Sequence, residues 1–171
     1  RSVDSVMAEL QLARARFSPT IIRFLDDCFT MSPSWLKELC RRYVSEIALP
    51  FTCITHPDLV TDETASILGQ AGASWVEIGI QSLSPDLSDK MLDRRSDPVR
   101  IGAAIDRLKR HGIAVQVDHM LGIPGDTLDI QERSLEFYND HRPYLIGIYW
   151  LKYYPGTTIL DLPGGAMTPL E

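Results

Sequence analysis

Close cysteine pairs, basic stripes and long apolar runs are all missing from this sequence. Cys28, Cys40 and Cys53 are its three cysteines, far apart and odd in number. That excludes a disulfide framework and fits a reducing, cytoplasmic setting. With no close pair among them, they read as small buried hydrophobes and not as metal ligands. No apolar run approaches the roughly 20 residues of a membrane span. Residue 1 is Arg and no charged-then-apolar leader follows it, so no signal peptide is expected. Net charge is −6 without a basic stripe, and nucleic acid is not an expected partner. Internal linkers and low-complexity stretches are absent too. What remains is ordinary for a globular domain: 171 residues, 44% hydrophobic and 23% charged, enough for one sizeable core.

Two periods alternate along the chain. Apolar β-type runs occur at Thr20–Leu25, Pro50–Ile54, Trp75–Ile80, Ile113–Leu121 and Leu145–Leu151. Helix-period segments lie between them. Ser32-Pro33, Ser84-Pro85 and Asp97-Pro98 each offer an N-cap followed by Pro at the first helical position. Thr61-Asp62-Glu63 opens a helix that closes at Gly72, and Val99–His111 is stopped by Gly112. Val3, Val6, Met7, Leu10 and Ala13 stripe an opening helix with no strand before it. Strand starts recur roughly every 30 residues, one βα unit each, which predicts a parallel sheet with covered faces. An open doubly wound sheet and a (β/α) barrel both satisfy this pattern.

Polar residues collect where each run ends. They are Asp26-Asp27, Thr55-His56, Gln81-Ser82, Asp118 and His119 before the turn Gly122–Thr127, and Lys152–Thr157. In a parallel sheet these ends share one side, where such enzymes build their sites. Singly, each has a plain alternative. Asp26-Asp27 could cap a helix, His56 before Pro57 could be a hydrogen-bonded loop residue, and Gln81 and Ser82 could cap the next helix. The glycines of Gly122–Gly125 could serve a turn needing positive φ. Five in register predict one shared polar site.

Taken together, four blocks resemble the radical S-adenosylmethionine (SAM) superfamily, above all its class with a cobalamin-binding domain. Leu25–Thr30 is similar to the "DD.FT" end of that family's second strand, and Ala71–Ser82 to its fourth-strand "AG...v.iGiQS". Val117–Thr127 is similar to its fifth-strand "D.i.GlPGeT", and Tyr153–Thr157 to the "yPGT" after its sixth. The blocks keep family order across nearly the whole chain. The resemblance implies a partial (β/α) TIM-type barrel, α/β in class, with five of about six parallel strands present. Residues 1–161 form the barrel part and 162–171 an irregular tail. An incomplete ring leaves a bare strand edge that invites pairing or aggregation.

The resemblance also implies chemistry. A 4Fe–4S cluster held by C-x3-C-x2-C after the family's first strand binds SAM, and one electron yields a 5′-deoxyadenosyl radical. That cysteine motif is absent here, so metal ligands are expected outside this chain, before Arg1, and the chain alone is expected to be inactive. Asp26 and Asp27 match the position that accepts from the methionine ammonium. Gln81, with Ser82, matches the position facing the ribose. Met120 and Leu121 match positions packing on adenine, and backbone groups near Trp150 and Leu151 those that read its edge. His56 and Asp118 are candidates for substrate or SAM-carboxylate contacts. Expected cofactors are SAM, the cluster and, with an upstream domain, cobalamin. Expected partners are a small-molecule substrate and an electron donor. Two other readings stay open: a catalytically inactive scaffold or partner-binding barrel, and a metabolic barrel holding phosphate at Gly122–Gly125. The latter has Lys152 as its one strand-end lysine.

Overall fold

The computed structural model describes residues 1–94 and 97–161; the expected tail at 162–171 lies outside the described residues. Helix α1 spans Val3–Phe17, its first turn capped by the Ser2 hydroxyl, and buries Val3, Met7 and Leu10 of the predicted stripe. Four βα-type units and a fifth strand follow. Strand β1 is Ile22–Arg23 and α2 is Pro33–Glu46. Strand β2 is Phe51–Thr55 and α3 is Asp62–Gln70. Strand β3 is Ala73–Gln81, followed by α4 at Pro85–Leu92 and α5 at Pro98–Arg110. Strand β4 is Ala114–Leu121, α6 is Leu128–His141 and β5 is Leu145–Trp150.

The strands form one sheet in sequence order, every neighbouring pair parallel. It is a curled half-barrel, as the resemblance implies; the alternation alone predicts a sheet with covered faces, and among the described residues the helices cover one face. Thr61, Ser84 and Asp97 each cap their helix through the side chain. Ser32 departs from expectation, since its side chain makes no cap bond and Pro33 alone marks the start of α2. Strand β1 is also far shorter than the apolar run that carries it, because it is an edge and pairs only with β2.

Period two divides the sheet's faces. Phe51, Cys53, Val76, Ile78, Ile80, Val115 and Val117 are buried in the main core beneath the helices. The opposite face carries Thr52, Ile54, Trp75, Glu77, Gly79, Gln116 and Asp118, all only partly buried. This second face is the lumen side of the half-barrel, and its polarity is what positions a site.

Candidate functional site

The turn after β1 is anchored by aromatics. Phe24 and Phe29 stack with centroids 4.4 Å apart, and both pack on Phe51. Phe29 N–H donates to Ile54 O at 2.9 Å, and the Thr30 and Thr55 hydroxyls bond to one another. Asp26 and Asp27 ride on this turn and are exposed. Asp26 also lines a groove of about 790 Å³ along the β1 edge, together with Arg23, Leu25, Cys28 and Trp35. This is the bare edge expected from the sequence.

After β2, His56 starts a short 3-10 turn, and its Nδ1 accepts from Asp58 N–H at 3.2 Å. Burial lowers its pKa below the usual 6.5, and the nearby Arg94 cation adds to this while Asp58 opposes it. Its Nδ1 is therefore an acceptor and its Nε2 the remaining N–H.

Strand β3 ends irregularly. Gly79 pairs with Asp118 of β4, but Gln81, not Ile80, pairs with His119. The bulge leaves Gln81 at φ +67°. Its amide turns back over Gly79, where a Cβ would sit 3.1 Å from Gln81 Nε2 and 3.5 Å from Arg94 Nη2. Arg94 donates to Gly79 O at 2.7 Å. It reaches the strand ends because Asp93 closes α4 in the left-handed conformation and folds the chain back. Ser82 is buried instead, and its hydroxyl accepts from Ser84 N–H at 3.1 Å.

The two polar residues late in β4 separate. Asp118 faces the lumen one layer below Gln81, while His119 is buried on the helix side. There Nδ1 meets the Tyr138 hydroxyl and Nε2 meets Gln131 Oε1, each at 2.8 Å, and Gln131 in turn bonds Asp126. His119 thus leaves the polar set that the strand ends suggest. Alternation also separates Met120, on the Asp118 side, from Leu121 on the other. Leu151 N–H is taken by Leu121 O at 2.9 Å, and the exposed Trp150 ring lies over Gly122. Gly122 and Gly125 hold φ +78° and +85°, so the turn itself requires glycine at both.

Sequence reasoning missed Arg94, since it follows a helix and not a strand. The signal was a basic residue directly behind a helix end at Leu92-Asp93. Among the described residues, no cluster of His, Cys, Asp or Glu could hold a metal ion. The cluster implied by the sequence resemblance therefore finds no fitting set of side chains among the described residues. No helix among the described residues is long and apolar enough to cross a membrane.

Comparison with known proteins bears on this geometry. The Radical SAM superfamily profile matches residues 1–138. The bacteriochlorophyllide d C-12(1)-methyltransferase of Chlorobaculum tepidum is 25% identical over 170 residues, 94% of this chain and 36% of that protein. An uncharacterized methyltransferase of Pyrococcus horikoshii is 23% identical over 94% of this chain and 35% of its own length. This chain thus spans about a third of the length of these relatives. Among solved structures, the radical S-adenosylmethionine methyltransferase TsrM of Kitasatospora setae, with cobalamin and a 4Fe–4S cluster bound, superposes with a TM-score of 0.81. It is 20% identical, covering 92% of this chain and 32% of that one.

Proposed function

This chain belongs to the radical SAM superfamily, and on that premise we propose that it is the SAM-holding part of the core of a longer radical SAM enzyme. One observation carries the reading: Gln81 and the Arg94 guanidinium converge over Gly79 at the carboxyl end of the sheet, one layer above Asp118. A nucleoside with an amino-acid tail needs this set. An amide donates to and accepts from ribose hydroxyls, a guanidinium pairs with a carboxylate, and a carboxylate accepts from a hydroxyl. Glycine at 79 keeps the backbone low enough for the ligand to lie across it.

Asp26 and Asp27 are exposed acceptors for the ammonium group, and Met120 is an apolar wall for the adenine. His56, kept neutral, adds an N–H and not a charge. Reductive cleavage of SAM at a cluster held elsewhere in the longer polypeptide would supply a radical. This chain's residues bind and orient the ligand. The partners of this reading are a small-molecule substrate and an electron donor, in the reducing setting that three unpaired thiols suit. The methyltransferase relatives, and TsrM with its bound cobalamin, favour a methyltransferase.

S-adenosylhomocysteine binding to the full-length protein tests the reading. Arg94→Ala is expected to weaken it roughly 10- to 100-fold, the loss of a charged hydrogen bond. Unchanged affinity with an intact fold would remove Arg94 from the site and the reading with it.

A further inference from the structure

The lumen face below Gln81 and Arg94 carries a second polar layer. Glu77 stands between Ile54 and Gln116 in the strand register. Its side chain shares the lumen face with Asp118, diagonally across the β3–β4 pairing, and its carboxyl group lies 3.5 Å from the Arg23 guanidinium. Gln116 donates from Nε2 to Asp118 Oδ1 at 2.8 Å. Glycines flank Asp118 on both neighbouring strands, Gly79 on β3 and Gly147 on β5. A Cβ at 147 would come within 2.7 Å of Asp118 Oδ1. Asp118 is therefore held from the layer below, and the missing side chains at 79 and 147 leave room for its carboxyl group beside Tyr149, Gln81 and Arg94.

Two neighbouring carboxyl groups repel each other when both are ionised, which favours a proton on one of them. Burial pushes Glu77 up to about 7, the hydrogen bond to Asp118 and its charge add to this, and Arg23 opposes it. Glu77 is thereby the member that keeps a proton and can donate it to the Asp118 carboxyl group.

We propose that Glu77 is a positioning residue: with Gln116 it fixes the Asp118 carboxyl group so that Asp118 keeps an acceptor oxygen aimed at a hydroxyl of the bound nucleoside. The proposal rests on the SAM-holding reading and deepens it. When Glu77 loses its proton, the donor is lost and a second negative charge swings Asp118 away. Tyr149 also faces the pair, and the Asp118 charge foremost raises its phenol above its ordinary 10. Tyr149 therefore stays neutral. His56 lies below 6.5 and is already neutral. Glu77 is then the group whose titration matters above pH 6.5.

Calorimetric titration of the full-length protein with S-adenosylhomocysteine, between about pH 6.5 and 8.5, tests the proposal. This probe lacks the sulfonium charge that an extra carboxylate would attract. Wild-type affinity is expected to fall roughly tenfold as pH rises through about 7. Glu77→Gln, whose amide donates at every pH, is expected to bind as tightly as wild type at the acid end and to show no fall. A flat wild-type profile, or the same fall in Glu77→Gln, overturns the proposal. Should Glu77→Gln fail to fold, the wild-type profile decides alone. Asp118→Ala separates the two ideas. If it leaves affinity unchanged at the acid end, the assignment of Asp118 to the nucleoside fails. If it weakens binding while Glu77→Gln keeps the wild-type pH profile, only the positioning role fails.

Discussion

Gln81 sits at φ +67°, a region that costs a side-chain-bearing residue about 1–2 kcal/mol. The bulge in β3 holds it there and aims its amide over Gly79 beside Arg94. Strain of this kind persists where the surrounding structure imposes it, commonly at sites that bind. Gln81→Gly should relieve the strain while adding unfolded-state entropy, a net gain of about 0.5 kcal/mol in denaturant unfolding. The same variant should bind S-adenosylhomocysteine roughly 5- to 150-fold more weakly, because the amide is lost. Lowered stability with unchanged affinity would mean that Gln81 serves the fold and not the ligand. Gln81 was legible as a polar residue ending an apolar run. Asp118 and His119 looked equivalent on that criterion, and only the two-residue period, fixed by pairing with β3 and β5, sends them to opposite faces. Arg94 was legible only as a basic residue behind a helix end, since its place at the strand ends depends on the left-handed Asp93 behind α4.

At the level of elements, the run-and-helix alternation predicted every strand, and capping residues marked most helix starts. What it could not supply was length at the edge: the run Thr20–Leu25 yields only Ile22–Arg23 as strand, because half of its ladder has no neighbour. Helix packing was also hidden. Gly102 on α5 lies directly under the His141 ring of α6, so a Cβ there would overlap the ring. His141 is pinned by Asp106 at 3.1 Å and by the Phe137 ring, and its carbonyl accepts from Lys109 at 2.6 Å. Gly102→Ala gains helix propensity but must push α6 outward, for a net loss of about 1–3 kcal/mol. His141→Ala in the same chain should restore much of it, giving a clearly non-additive double-mutant cycle. Additive losses would show that α5 and α6 are not coupled through this contact.

For the whole molecule, the sheet is covered by helices on one face and, among the described residues, has no further strand paired at either edge. The β1 edge borders the large groove, and on the far strand Leu145, Ile148 and Trp150 are exposed. Curated relatives are about three times longer than this chain, which leaves ample sequence for whatever lies against these surfaces. The thiols follow the same division. Cys40 and Cys53 are buried in the core, where desolvation pushes Cys40 up to about 12 and raises Cys53 further, while Cys28 is half-buried near Arg94. A thiol must become a thiolate to bind iron, and burial opposes that at two of the three positions. The 171-residue chain, reconstituted anaerobically with iron and sulfide, should therefore stay colourless. Native-state alkylation should label Cys28 well before the other two. A brown product whose colour disappears in the combined Cys28→Ser, Cys40→Ser and Cys53→Ser variant would show that these thiols reach a common metal. The separation of SAM-holding residues in this chain from cluster ligands elsewhere would then have to be abandoned.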